Sequence, residues 1–281
     1  MDGEKKYEAS ISAHYGRSDL SEEIFGALEK AGRKITSYKD ATTFDQFHMR
    51  GQDATRELAH LADLKTGERV LDLGCGIGGA ARLLAAEFGC RATGVDLVEE
   101  FVRTAAELTR KAGLSDRVDF HAGNMLNLPF EENLFDAVWS QHTFMNIEDK
   151  PRLLLQIHRV LRPHGRLALY EVAQGQNLPV YYPVQWASDP SISFLLPLDP
   201  FKHMIVDAGF ELLHWQDVTE ECLQWFQSIV TKMKHRPAGA PPPLGVNLLI
   251  GPTAAEKARN TVRNLQEGRI RVVYGVFEKR W

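Results

Sequence analysis

The sequence predicts an α/β fold in which alternating strands and helices build a parallel sheet with helices on both faces. Three observations support this prediction. Short apolar runs of strand length alternate with amphipathic segments of helix length between residues 51 and 173. A glycine-rich turn, Gly74 to Gly79, follows the first of those runs and leads into small residues that open a helix. The composition, 44% hydrophobic and 25% charged over 281 residues, is that of a globular chain that can bury one large core.

The elements of the first half are predicted from helix ends and strand composition. Ser21 can cap a helix whose next residues, Glu22 and Glu23, favour its positive end, and Gly32 follows its last turn. Residues 1–19 are expected to form a tail. The expected helices of this half are 21–32, 52–64, 78–88 and 98–111, and the expected strands are 69–73, 91–95 and 117–121.

The alternation continues to residue 172 and then stops. Residues 174–199 have no clear period and are rich in proline and aromatic residues, which indicates an insertion. Residues 237–251 are rich in helix breakers and predict a surface loop. The remaining expected elements are strands 135–140, 166–172, 210–218 and 269–277 and helices 147–161, 200–208, 219–235 and 254–267.

Composition and charge exclude several classes of function. The chain has 33 lysines and arginines against 37 acids, a net charge of −4, which does not favour a nucleic-acid partner. Cys75, Cys90 and Cys222 lack the CxxC spacing of zinc or redox sites, so we expect no metal and a reducing, cytoplasmic location. The amino terminus is polar and no run approaches the ~20 apolar residues of a membrane span, so we expect no membrane partner.

One acid beside the glycine-rich turn decides between two kinds of ligand. Gly74, Gly76 and Gly79 match the GxGxxG spacing of dinucleotide sites, which by itself indicates a dehydrogenase that binds NAD. Asp72, however, lies where the strand enters the turn, and its carboxylate would repel a pyrophosphate. A ligand with an ammonium and a sulfonium would be attracted instead. Asp72 therefore favours a cationic ligand.

A second acid, Asp96, ends the next strand, about 20 residues beyond the turn. A carboxylate at that position can accept hydrogen bonds from both hydroxyl groups of a ribose. A strand-end aspartate can also cap the following helix, and this alternative stays open.

Four segments together resemble the class I S-adenosylmethionine-dependent methyltransferases. They are Val70 to Gly79, Gly94-Val95-Asp96, Gly123-Asn124-Met125 and Phe135 to Ser140, and the resemblance extends over residues 45–175. It implies a Rossmann-like, seven-stranded methyltransferase sheet with a substrate-cap insertion, whose last strand runs antiparallel at the edge. It also implies S-adenosylmethionine as cofactor, S-adenosylhomocysteine as its product, and a small-molecule acceptor.

The resemblance also implies which residues hold the cofactor. In the family an aspartate usually stands at the position of Asn124, and its oxygen accepts from the adenine amino group; an asparagine keeps an acceptor oxygen. Met125 would then face the purine, with packing in the core as its alternative role. The implied cofactor-binding residues are Asp72, Gly74, Cys75, Gly76, Asp96, Leu97, Asn124, Met125, Gln141, Gln46 and Tyr15.

Two amino-terminal segments are expected to cover that site. A tyrosine near the amino terminus often lies over the cofactor in related methyltransferases, so Tyr15 is a candidate lid residue, with anchoring of the tail as the alternative. Residues 43–51 are similar to the strand that leads into the core of the sarcosine and dimethylglycine N-methyltransferases, which makes Gln46 and His48 site candidates. Alternatively, Asp45 and His48 only cap the next helix.

Methyl transfer from a sulfonium needs a nucleophile held in line behind the methyl group with water excluded. A hydroxyl or ammonium acceptor also has to lose a proton, so a base can be required. His48 and His142 are the catalytic candidates for this base, with Tyr181 or Tyr182 as alternatives. A purely structural role stays open for both histidines.

The aromatic insertion is expected to cover the substrate pocket. Tyr181, Tyr182 and Trp186 are substrate-binding candidates, because three aromatic rings can form a cage that binds a methylated ammonium through cation–π contacts. Ordinary packing of a lid is the alternative.

These observations lead to one functional hypothesis: the chain transfers a methyl group to a small-molecule amine such as sarcosine or dimethylglycine, as a monomer or homodimer. The alternatives are an O- or C-methyltransferase of a larger apolar metabolite and a non-catalytic regulator that binds the cofactor. We expect one methyltransferase domain with a lid region (1–50), a cofactor-binding core (51–173), a substrate cap (174–199) and the carboxyl-terminal part of the sheet (200–281).

Overall fold

The computed structural model describes residues 2–16, 19–235 and 244–280. The helices are α1 (Asp2–Tyr15), α2 (Leu20–Lys30), α3 (Gly51–Leu61), α4 (Gly79–Glu87), α5 (Glu99–Lys111), α6 (Lys150–Val160), α7 (Leu198–Asp207), α8 (Thr219–Lys234), α9 (Asn247–Ile250) and α10 (Ala254–Gln266). The strands are β1 (Arg69–Leu73), β2 (Arg91–Asp96), β3 (Val118–Ala122), β4 (Phe135–Gln141), β5 (Leu161–Gln174), β6 (Phe210–Asp217) and β7 (Ile270–Lys279).

The strands form one seven-stranded sheet in the order β3-β2-β1-β4-β5-β7-β6. Neighbours among β1 to β5 pair in parallel, as expected of strands joined by helical crossovers. Every residue of β4 is buried, as are the last four of β1, which suits strands covered on both faces. The predicted α/β fold is confirmed.

The last strand lies inside the sheet. β7 pairs antiparallel with both β5 and β6, so its predicted direction is confirmed and its predicted edge position is wrong. The burial of the two strands gives the physical reason: eight of the ten β7 residues are buried, whereas β6 exposes Glu211, Leu212 and Leu213. A strand with two buried faces belongs between neighbours, and the more polar strand forms the edge.

The amino-terminal segments differ from the expectation. Residues 2–15 form α1 rather than a tail, and residues 43–51 contain no strand. Buried side chains hold this second segment in a set of turns: Asp45 Oδ2 accepts from Arg82 Nη2 at 2.9 Å, and both side chains are 1% exposed. Because the partners are 37 residues apart in the chain, no local pattern could reveal this pair.

Two carboxyl-terminal details also differ. β5 begins at Leu161, earlier than expected, and α9 lies in a region predicted to be a loop, whose proline-rich part at 237–243 falls outside the described residues. Within the described ranges, no helix has the length and apolar character to cross a bilayer.

Candidate functional site

A cavity lies beyond the carboxyl ends of β1 to β4, on both sides of the point where the strand order reverses. It brings together both predicted catalytic histidines and all of the predicted cofactor-binding residues except Gln46. The residues that line it are Ile11, Tyr15, Asp45, Phe47, His48, Asp72, Gly74, Cys75, Gly76, Ile77, Ala80, Asp96, Leu97, Val98, Phe101, Asn124, Met125, Gln141, His142, Thr143, Asn146, Ile147 and Leu249.

The floor of the cavity is the glycine-rich turn between β1 and α4. Gly74 has a φ of 69°, and a Cβ there would overlap the side chain of Thr143. At the start of α4, a Cβ on Gly79 would overlap the carbonyl oxygen of Asp45. At these two positions the turn therefore has room for backbone only, and the N–H groups of Gly74 and Cys75 donate to the carbonyl of Val95 on β2.

Two acids stand beside this turn. Asp96 Oδ2 accepts from the N–H of Gly76 at 2.8 Å, and its Oδ1 accepts at 2.9 Å from the N–H of Val98, the residue directly before α5. Asp72 is buried, and its Oδ2 has no hydrogen-bond partner in the described part of the chain. Burial and the charge of Asp96 raise the pKa of Asp72 to about 7. Two buried carboxyl groups with an unpaired oxygen fit a cationic ligand, which would stabilise their charge.

Asn124 follows β3, and its side chain already makes two hydrogen bonds within the chain. Its Oδ1 accepts from the N–H of Leu126 at 2.8 Å, and its Nδ2 donates to Glu8 Oε1 of α1 at 2.7 Å. The oxygen expected to face an adenine amino group is thus used within the chain. No local pattern points to Glu8, because residues 1–19 are expected to form a tail rather than a helix. Met125 is buried and lines the cavity beside Asn124.

A buried polar network forms another wall. Gln141 Oε1 accepts from Trp139 Nε1 at 2.9 Å and from the Thr55 hydroxyl at 3.1 Å, so its orientation is determined by the indole N–H, which can only donate. His48 Nε2 lies 3.1 Å from Gln46 Oε1 and 3.3 Å from Thr55 Oγ1. Gln46 thus supports His48 from behind the cavity. The amide nitrogens of Gln46 and Gln141 have no partner among the described residues.

The two histidines lie together with their ring centroids 6.0 Å apart. Burial lowers the pKa of His48 to about 4, and burial together with His48 holds the pKa of His142 well below its usual range. The His142 ring stacks on Tyr170 at 4.8 Å, and its Nε2 is buried with no hydrogen-bond partner among the described residues. Both imidazoles are therefore neutral at pH 7, the form that can accept a proton.

The lid helix α1 reaches the cavity through Tyr15. Its hydroxyl donates to Asn146 Oδ1 at 2.8 Å, and Asn146 Nδ2 in turn donates to the carbonyls of Trp186 and Ile192. Sequence reasoning missed Asn146, although its position shortly after β4 was a usable signal. The insertion at 174–199 thus meets the cavity edge through main-chain carbonyls.

The predicted aromatic cage is not assembled at the cavity. The faces of Tyr181 are occupied by Arg263 and Arg269, whose guanidinium carbons lie 3.8 and 4.2 Å from the ring centroid, so this ring would not receive another cation. Trp186 is 2% exposed and donates to Ser193 Oγ, and neither it nor Tyr182 lines the cavity. Tyr181 and Trp186 thus contact other side chains of the protein, in line with the alternative that these rings pack as part of a lid.

Of the lysine, arginine and acidic side chains in the described part of the chain, those that line the cavity are all acidic. Asp45, Asp72 and Asp96 line it, whereas no lysine or arginine does so among the described residues. No cluster of metal-ligating side chains occurs in the same part of the chain. The arrangement can hold a cation near the glycine-rich turn and offers a neutral imidazole, but it has no cation for an anionic ligand group.

Comparison with known proteins gives a family match to the cavity-forming part of the chain. Residues 71–169 match the family described as "Methyltransferase domain". The chain is 27% identical to Methyltransferase GfsG of Streptomyces halstedii over 72% of its own length and 74% of that protein. It is 39% identical to the glycine/sarcosine/dimethylglycine N-methyltransferase of Actinopolyspora halophila, but over only 39% of its length and 20% of that protein.

The fold is shared with solved structures. The crystal structure of the [4+2]-cyclase SpnF superposes with a TM-score of 0.65 at 24% identity and covers 93% of both chains. At this identity the likeness concerns the fold alone, and a cyclase on the same fold means that the reaction has to be argued from the site.

Proposed function

We propose that the chain, whose residues 71–169 match a methyltransferase domain, is a class I S-adenosylmethionine-dependent methyltransferase that methylates a hydroxyl group of an uncharged, largely apolar small molecule. The observation that carries this proposal is a neutral His142 in a cavity that no lysine or arginine lines in the described part of the chain. The proposal favours the O-methyltransferase alternative over an amine such as sarcosine or dimethylglycine.

The residues around the turn fit the cofactor. At Gly74 and Gly79 the structure has no room for a side chain. The Asp72 oxygen that has no partner among the described residues can accept a hydrogen bond from a ligand or contact its positive charge. We propose that these residues and Asp96 hold S-adenosylmethionine, which supplies an electrophilic methyl group when bound. Around that site the chain itself has to exclude water, and Ile11, Tyr15 and Phe47 close the cavity toward solvent.

The acceptor class follows from what the cavity lacks. Sarcosine and dimethylglycine would bring a second carboxylate beside that of S-adenosylmethionine, and each buried carboxylate is costly without a cationic partner. An uncharged acceptor needs none, and Phe47, Ile147 and Leu249 offer it apolar contact. A hydroxyl nucleophile must lose its proton as it attacks, and a neutral imidazole at His142 can accept it. His48 is the second candidate base, but its Nε2 already faces Thr55 and Gln46.

The experiment is an acceptor screen with S-adenosylmethionine that carries a deuterated methyl group. We expect label in hydroxylated apolar compounds and none in sarcosine or dimethylglycine, read by mass spectrometry. His142→Gln should reduce turnover by about 10²-fold or more, the usual contribution of a general base, with little change in cofactor affinity. His121→Gln, at a half-exposed histidine on β3, is the matched control. Label that appears only in amines would refute the proposal.

The amine hypothesis keeps one supporting observation, the 39% identity to the glycine/sarcosine/dimethylglycine enzyme over 110 residues. Those residues are a minor part of that protein, so the similarity does not extend to its whole acceptor site. The same screen decides between the two acceptor classes.

A further inference from the structure

We propose that Glu171, which lies outside the cavity on β5, is a positioning residue that holds the turn at residues 142–147 and thereby the imidazole of His142. The use of this imidazole as a base rests on the proposed function. That Glu171 holds the turn does not depend on the proposed function. The experiments below measure the position of His142 separately from methyl transfer.

The carboxylate of Glu171 is the convergence point of three donors from β4 and the turn. Ser140 Oγ donates to Oε1 at 2.7 Å, and the N–H groups of Thr143 and Phe144 donate to Oε2 at 2.9 and 3.1 Å. The Glu171 side chain is fully buried, so no water can replace these bonds. One side chain therefore satisfies the first two amides after His142.

The turn that Glu171 holds has an uncommon backbone. His142 has a φ of 53°, in the left-handed region that non-glycine residues rarely occupy, and a structure keeps such a residue only where its neighbours fix it. The His142 N–H donates to the carbonyl of Tyr170 at 2.8 Å, directly before Glu171 on β5. These two β5 residues together determine where the imidazole lies.

The same turn touches the cofactor side of the cavity. The Thr143 hydroxyl donates to the carbonyl of Leu73 at 3.2 Å, and its side chain fills the space that a Cβ on Gly74 would need. At the other end, Lys150 Nζ donates to the carbonyls of Ile147 and Phe194. Movement of the turn would thus disturb His142 and the glycine-rich turn at the same time.

The chemistry requires a carboxylate rather than an amide. Glutamate accepts hydrogen bonds at both oxygens, whereas glutamine has one acceptor oxygen and an NH₂ group that only donates. In Glu171→Gln, that NH₂ group would face the N–H of Thr143 or the Ser140 hydroxyl. If the NH₂ group faces the turn, its amides lose their acceptor; if it faces Ser140, that hydrogen bond reverses and the bonds to the two amides lose their charge assistance, at nearly unchanged side-chain volume.

Among the described residues, one charged side chain, Lys150, acts on the carboxyl group of Glu171. Burial raises the pKa of Glu171 to about 7 and lowers that of Lys150 to about 8. Lys150 on α6 is the charged group that acts on Glu171, and Ser140 faces it from β4. The ionised form is the one that serves all three donors.

The first test uses binding and spectroscopy and needs no acceptor. Protein with ¹⁵N-labelled histidine is compared as wild type, Glu171→Gln and Glu278→Gln, each saturated with S-adenosylhomocysteine. Glu278 lies on β7 and pairs with His164 at the surface, so it is the matched control. We expect the His142 ring signals to move or broaden in Glu171→Gln alone, together with a fall in affinity for S-adenosylhomocysteine, because Thr143 of the same turn contacts Leu73 and the position of Gly74. Unchanged His142 signals in a folded Glu171→Gln protein would overturn the proposal.

A second variant keeps the proposal testable if Glu171→Gln does not fold. Ser140→Ala removes one donor, so the Glu171 carboxylate should become harder to ionise. The pH at which the His142 signals change should then rise by about one unit relative to wild type. An identical pH dependence in the two proteins would contradict the role of Glu171. Because neither readout depends on which acceptor is methylated, a failed acceptor screen leaves both results interpretable.

Discussion

The hydrogen bond between Glu8 and Asn124 ties the lid helix α1 to the cavity wall, and a single substitution should release it. Asn124 Nδ2 donates to Glu8 Oε1 at 2.7 Å, in a partly buried position. Asn124→Asp would replace the donor with a second carboxylate. We expect α1 to detach more often and the cofactor to dissociate faster, because α1 also brings Ile11 and Tyr15 to the cavity.

The magnitude follows from the two interactions that change. A hydrogen bond to a charged group contributes about 1.5–3 kcal/mol, and two like charges about 4 Å apart repel by about 1 kcal/mol in water and up to about 4 kcal/mol near a protein surface. Partial exposure of the pair places the sum at the low end, about 2.5 kcal/mol, which corresponds to roughly a 70-fold shift in the docking equilibrium of α1.

The assay is hydrogen exchange of α1 amides, together with the dissociation rate of S-adenosylmethionine. Exchange over residues 2–15 should accelerate in Asn124→Asp. Glu8→Gln in the same protein should restore protection, because the introduced amide can donate to the introduced carboxylate. Glu8→Gln alone is the control and should have a small effect. Equal exchange in Asn124→Asp and wild type, or a double variant no better than the single one, would refute the reasoning.

Three further predictions concern the cavity. Gly74→Ala should abolish cofactor binding in calorimetry, because the new Cβ overlaps Thr143 at a φ of 69°; measurable binding would contradict the role of the turn. Affinity for S-adenosylmethionine should rise between pH 6 and 8, by up to about tenfold per pH unit below the pKa of about 7 of Asp72, since the ionised acid attracts a cation. Asp72→Asn should lower the affinity and flatten this dependence. His48, whose pKa burial lowers to about 4 from 6.5, favours the folded state above pH 6.5 and loses this contribution as the pH falls toward 4. Urea unfolding at pH 7.5 and 4.5 should show a smaller difference in His48→Gln, by up to about 3 kcal/mol.

The glycine-rich turn and its two acids were predictable because their structural roles are local. Gly74 follows a buried strand within the same ten residues as Asp72, and Asp96 ends the next strand. A strand that ends in a tight turn leaves few positions for such groups, so spacing along the chain determines their position in space. The same holds for His142, which follows β4 directly.

The contacts that join α1 to the cavity wall were less predictable for the opposite reason. The Tyr15–Asn146 hydrogen bond joins residues 131 positions apart, and the Asn124–Glu8 bond joins residues 116 apart. Each depends on how α1 packs, and α1 has no strong apolar face that would have indicated its place. Spacing along the sequence carries no information about such pairs.

The aromatic insertion illustrates how a distant contact reverses a local inference. From the sequence alone, Tyr181 beside Tyr182 indicates a site for a cation. In the folded chain, the cations at the Tyr181 ring are the guanidinium groups of Arg263 and Arg269. Both also donate to the Tyr181 hydroxyl, at 3.0 and 2.9 Å. The same ring that suggested an ammonium substrate instead connects the insertion to α10 and to Arg269, the residue directly before β7. Because no aromatic cage forms at the cavity, the proposed acceptor class rests on the absence of a lysine or arginine among its described lining residues and on the imidazole of His142.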